Sequence, residues 1–188
     1  MCSKALLLDY LTLSVSGIST VCILTNYNLI YCSYFVGAFC IFDLYYVVKI
    51  KKIDIIIHHL LVTTLICFLF SSNVVDSQKL PIVETVLSTE ISTNFLILKN
   101  ILPGITSLPS SVVHINNLLF VASFFYYRIY NYFVKILISK KLFYIMINNF
   151  TGLQLFFSFF SIYGFFALNL YWSGLILKKC YSLKNRTQ

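Results

Sequence analysis

Six apolar runs, near residues 5–25, 30–50, 54–71, 81–98, 113–135 and 152–177, occupy most of this chain and leave only short polar connections. A helix crossing a bilayer needs about 20 apolar residues. Water is a poor solvent for such a pattern. A water-facing surface needs roughly a quarter charged residues, whereas charge makes up 11% of this sequence and mean hydropathy is +0.86. The expectation is an all-α polytopic membrane bundle of about six transmembrane helices, a single integral domain over residues 1–188. No soluble linker, internal repeat or low-complexity tail interrupts it.

Three runs need comment. The first resembles a signal peptide, but Asp9 interrupts it and no small-residue cleavage site follows, so it is read as a span. The third is among the shortest and, holding His58 and His59, marginal by hydropathy alone. The stretch 136–150 has Lys140 and Lys141 in its middle and reads as interfacial rather than as a seventh span.

A net charge of +8 raises the question of nucleic acid. The basic residues sit at the ends of apolar runs, however, where they act as headgroup contacts and topology signals, so no nucleic-acid partner is expected. With six spans, Lys4, Lys49, Lys51, Lys52, Lys99, Lys178, Lys179, Lys184 and Arg186 share one side, and Lys79, Lys135, Lys140 and Lys141 the other. The positive-inside rule then puts both termini in the cytosol. Glycan on the sequon Asn185-Arg186-Thr187 would overturn that topology. The cysteines form no C-x-x-C pair and no histidine lies at zinc spacing, so neither a metal nor a cofactor is expected.

Ionisable groups near mid-span cost at least ~2.5 kcal/mol and are functional candidates by default. Here they are Asp43, His58, His59, Glu84, Glu90 and Arg128. At ~1.5 Å of rise per residue, Asp43 and His58 each lie ~11 Å from the basic 49–52 turn, and Glu90 ~13 Å from Lys99. Asn169 and Asn117 fall at similar depth. The expectation is a polar layer in the cytosolic half, reached from that side. Interhelical hydrogen bonds that merely lock the bundle, at ~0.6 kcal/mol each, are the plainer alternative.

Adjacent helical residues diverge by about 100°, so His58 and His59 face different neighbours. Asp54, four before His58, and Thr63, four after His59, are spaced to hold the two rings. Either imidazole could serve as base or nucleophile with a carboxylate orienting it, and Asp43 or Glu90 could supply that carboxylate. Two rings satisfied near the membrane surface is the bland reading. The fourth run is unusually polar, from Glu84 to Asn94, and must face protein or a cavity. Asn117 and Arg128, eleven residues apart, share a face to within about 20° in an α-helix. Arg128 is also close enough to Lys135 to snorkel to the lumenal interface.

These residues, in this order, resemble the TLC (Tram–Lag–Cln) domain family. The carriers are Phe42-Asp43-Leu44-Tyr45, His58-His59-Leu60, Glu90-Ile91-Ser92-Thr93-Asn94-Phe95, Asn117 with Phe124-Phe125-Tyr126-Tyr127-Arg128, and Leu168-Asn169-Leu170-Tyr171-Trp172. The match is closer to the small TLC-domain-containing proteins than to ceramide synthases, whose second carboxylate motif is reduced here to Glu90 alone. Asn94 also stands where proline is common.

The resemblance implies helices around a lipid-accessible cavity in the endoplasmic reticulum or a related endomembrane. It implies binding or sensing of lipid acyl chains that influences membrane lipid composition or trafficking. The alternative it offers is a ceramide-synthase-like N-acyltransferase using acyl-CoA and a long-chain base, in sphingolipid metabolism. In that chemistry His58, His59, Asp43 and Glu90 are the catalytic candidates. Ser92, Thr93, Asn117, Arg128 and Asn169 form a lipid-binding or structural layer around them.

Overall fold

The long apolar runs become helical rods in the computed structural model, which describes residues 2–72, 74–105 and 107–184; the Asn185 sequon and Arg186 lie outside them. The elements are α1 (Cys2–Thr25), α2 (Leu29–Lys49), α3 (Ile53–Ser71), α4 (Asp76–Ser88), α5 (Glu90–Ile101), α6 (Ser110–Ser123), α7 (Lys140–Asn149) and α8 (Gly152–Lys184). No strand occurs among the described residues. In lipid the backbone must satisfy its own hydrogen bonds, and a helix does so within one segment.

Four helices, α1, α2, α3 and α8, are long and apolar enough to cross a membrane. The expectation for the third run needs correcting. Mean hydropathy over α3 is 2.1, the highest of the four, because its Ile, Leu and Val residues outweigh both histidines. The fourth expected span is a rod divided at Thr89 into α4 and α5, with Pro81 inside α4. The fifth begins as α6 and changes to π-type hydrogen bonding through Phe124–Asn131 and Phe133–Leu137. Each uninterrupted piece of these two rods is shorter than a crossing requires.

The stretch between the fifth and sixth rods contains the short helix α7. It buries Leu142, Ile145 and Met146 while Phe143, Tyr144 and Ile147 stay exposed. Ser139 starts it, its hydroxyl accepting from the Leu142 amide at 3.3 Å.

Packing closes the rods into a ring. Helix α1 lies against α2 and α5, α2 against α3, and α3 against α8; α8 meets the π-helical segment, and α5 meets α6. Helix α4 reaches across to α2 as well. Close approach explains the central place of α3: a Cβ at Gly164 of α8 would lie 3.1 Å from the Leu61 side chain, and one at Gly37 of α2 would lie 3.4 Å from Ile66. Small residues at such contacts are what holds helices together when lipid removes the hydrophobic drive between them. Large apolar residues on the outer faces, such as Leu24 at 76% and Tyr31 at 74% exposed, are what a lipid-facing surface presents.

Two tight turns set the first three rods. After α1, Asn26 has φ 50°, and the Tyr27 and Asn26 amides return to the Cys22 and Ile23 carbonyls. After α2, Lys51 has φ 55°, and the Lys52 and Lys51 amides return to Val47 and Val48. Both are left-handed helix caps of the kind usually made with glycine or asparagine. Lysine in that conformation is strained by about 1 kcal/mol. Lys51→Gly should therefore stabilise the protein by roughly that amount, read as a higher melting temperature in detergent. A lower one would show that the turn carries no such strain.

Candidate functional site

The site is assembled from α2, α3, the start of α5, the π-helical segment and α8. The turn at Lys51 folds α3 back along α2, which brings Asp43 to His59: Nε2 and Oδ2 are 2.8 Å apart and both residues are buried. The other Asp43 oxygen and His59 Nδ1 are buried without a partner. When a neutral His59 donates its Nε2–H to the carboxylate, Nδ1 keeps the lone pair and can accept a proton.

His58 diverges as expected, toward α8. Its ring lies 5.3 Å from Phe165 and 5.6 Å from Trp172, with its Nδ1 buried and unpartnered. Asp54 does not hold that ring; it accepts from Trp172 Nε1 at 2.9 Å, tying α3 to α8. Among the hydrogen bonds of the described residues, neither Thr63 nor Glu90 holds an imidazole. The carboxylate that orients a histidine here is Asp43.

Arg128 does not snorkel. It is 5% exposed, with Nε donating to Ser92 Oγ at 2.7 Å, Nη2 to Thr93 Oγ1 at 2.8 Å and Nη1 to Asn169 Oδ1 at 3.5 Å. The rings of Phe124 and Trp172 flank the guanidinium at 5.6 and 5.7 Å, a distance at which cation–π attraction operates. A planar fork with several donors can tie three helical segments in this way. Trp172 stands between His58 and Arg128 and joins the two halves of the site.

Asn117 is not part of this set. Its Oδ1 is buried and unpartnered, while neighbouring Asn116 donates to the Phe95 carbonyl at 2.9 Å. The 20° alignment with Arg128 assumed α-helical winding throughout. The wider π winding beyond Ser123 changes the angle per residue, so the two no longer share a face.

Glu90 belongs to a different environment. It lies at the edge of a small cavity of about 20 Å³, room for a water molecule, lined by Ser33 and Val36 of α2, by Val62, Leu65, Ile66 and Leu69 of α3, and by Ile82, Val83, Val86 and Leu87 of α4. The lining is otherwise almost wholly apolar. No group of His, Cys, Asp and Glu able to hold a metal ion occurs among the described residues.

Two polar links escaped the sequence reading. Asn94 donates to Thr20 Oγ1 at 2.8 Å and accepts from Ser16 Oγ at 2.8 Å, locking α5 to α1. The Asp54–Trp172 bond spans 118 positions. The small polar residues of the first run were the only local hint of the former, and nothing local marks the latter.

The family model described as TLC domain matches residues 10–178. Comparison with curated proteins and with solved structures returns no match. The match covers nearly the whole chain and every residue of the site, and the chain belongs to the TLC-domain family.

Proposed function

We propose that this protein holds lipid acyl chains inside its helical ring and thereby influences membrane lipid composition or lipid trafficking. The observation that carries the reading is the match to the TLC domain over residues 10–178 in a bundle of apolar helices, with the small apolar cavity between α2, α3 and α4 as the place where a chain would enter. The same reading takes six spans, with both termini cytosolic and an endoplasmic-reticulum location.

Lipids retained by the purified protein after delipidating washes test it. Wild type should keep a chain-bearing lipid at close to one per protein, and Val83→Phe, which fills the cavity, should keep much less. Equal retention by both would remove the cavity from the account.

A second reading is favoured by one specific feature, the buried Asp43–His59 pair with Nδ1 left free. That arrangement suits a general base, and supports acyl transfer from acyl-CoA to an amine. In that reading the Lys49, Lys51 and Lys52 side chains at the turn attract the CoA phosphates. Purified protein in lipid, given labelled acyl-CoA and a long-chain base, should then form amide. No product above a His58→Ala/His59→Ala control would leave lipid holding as the function.

A further inference from the structure

We propose that the C-terminal ends of α5 and α8 form a docking site for the phosphate of an anionic phospholipid, held by Lys99, Lys178 and Lys179. This goes beyond the lipid-holding reading, because the site lies at the ends of the rods and does not depend on what enters the ring.

The chain has no side-chain carboxylate left to neutralise these lysines. Its sequence holds six Asp and Glu residues, and all six lie among the described residues. Asp43 meets His59, Asp54 accepts from Trp172, Asp76 pairs with Lys79, and Glu84 pairs with Lys135. Asp9 on α1 lies within reach of the Lys52 charge. Glu90 stands at the opposite end of α5 from Lys99. Lys99, Lys178 and Lys179 themselves make no ion pair among the described residues.

The lysines converge from two rods. Lys99 is partly buried in the last turn of α5, with Nζ 5.2 Å from the centre of the Phe120 ring, where a ring face attracts a cation. Burial lowers its pKa, and the charge of Lys179 on α8 lowers it further. Lys178 and Lys179 are exposed. Ammonium groups that repel one another beside an apolar surface are costly until an anion joins them. A phosphate has the charge and the acceptor oxygens to accept from several at once.

A lipid brings that anion to the right level. Leu175 and Leu177 are exposed in the turn of α8 before the lysines, so an acyl chain can lie along the helix while its headgroup meets them. This end is the one that the positive-inside count assigns to the cytosol, and the cytosolic leaflet carries the anionic lipids.

Native mass spectrometry of the full chain in neutral detergent, titrated with dioleoylphosphatidic acid or dioleoylphosphatidylcholine, tests the site. Wild type should bind the phosphatidic acid about tenfold more tightly than the choline lipid. Lys99→Gln/Lys179→Gln should reduce that preference to about twofold. Lys140→Gln/Lys141→Gln, on α7, should leave it unchanged. If the double variant at the site fails to fold, Lys179→Gln alone decides, because its side chain is exposed; it should lose about threefold.

Equal binding of the two lipids by wild type would overturn the proposal, as would a preference untouched by the Lys99 and Lys179 variants. Displacement of the phosphatidic acid by excess inorganic phosphate would overturn the lipid as the source and assign the lysines to a soluble phosphate compound. The same variants should leave the lipid lost in Val83→Phe in place, so this proposal and the lipid-holding reading fail separately.

Discussion

Arg128→Ala should destabilise the protein by about 3 kcal/mol, a fall of roughly 6–12 °C in melting temperature for a chain of this size. The substitution removes the one group that links the Ser92–Thr93 turn of α5, the π-helical segment and Asn169 of α8. Hydrogen bonds to a charged group contribute ~1.5–3 kcal/mol each. Interhelical bonds in membranes average nearer ~0.6 kcal/mol, with a maximum of ~1.7. Two short bonds, one long one and two ring contacts give a sum near the stated value. Arg128→Lys should recover less than half, because an ammonium has no fork with which to reach both α5 and α8. A melting temperature unchanged in Arg128→Ala would mean that the side chain sits at the lipid interface.

His59→Ala should lower any acyl-transfer rate by 10²–10⁴, the usual contribution of a general base, while His58→Ala should lower it less. The asymmetry follows from the geometry. His59 is oriented by Asp43 at 2.8 Å and keeps Nδ1 free, whereas the His58 ring packs against the rings of His59, Phe165 and Trp172 with its Nδ1 unpartnered. Asp43→Asn should approach the His59→Ala loss, because an amide can donate to Nε2 and leave the proton on Nδ1. Initial rates of labelled amide formation measure all three. Full activity in His59→Ala with none in His58→Ala would reverse the assignment.

Much of this arrangement was legible before any coordinates. Asp43 and His58 lie at nearly equal distances from one basic turn, so a folded-back pair of helices brings the histidine pair to the level of Asp43, although the ring that meets it is His59. Asn169 and the Glu90–Thr93 stretch were placed by the same count of residues from a charged helix end. Fixed rise per residue makes depth readable from sequence.

Azimuth was less readable. Asn117 left the set because the winding changes at Phe124, and no residue pattern in 124–137 announces π-type bonding. Asp54 had a neighbour at helical spacing in His58, yet its partner is Trp172, a choice made by the packing of α3 on α8. Glu90 has the expected depth of the histidines by residue count but lies at the edge of the cavity beside them. Which face a residue presents depends on the tilt and roll of whole helices, and these are tertiary properties. The polarity of the first run was visible, but its role as the seat for Asn94 was not.

The central claim is that an acyl chain enters the helical ring between α2, α3 and α4. Crosslinking with a lipid that carries a photoactivatable group along its chain, followed by peptide mapping, tests it most directly. The expected result is labelling of Val36, Val62, Val83 and Leu87, lost in Val83→Phe. Labelling confined to outward residues such as Tyr31 and Leu118, unchanged in that variant, would contradict it.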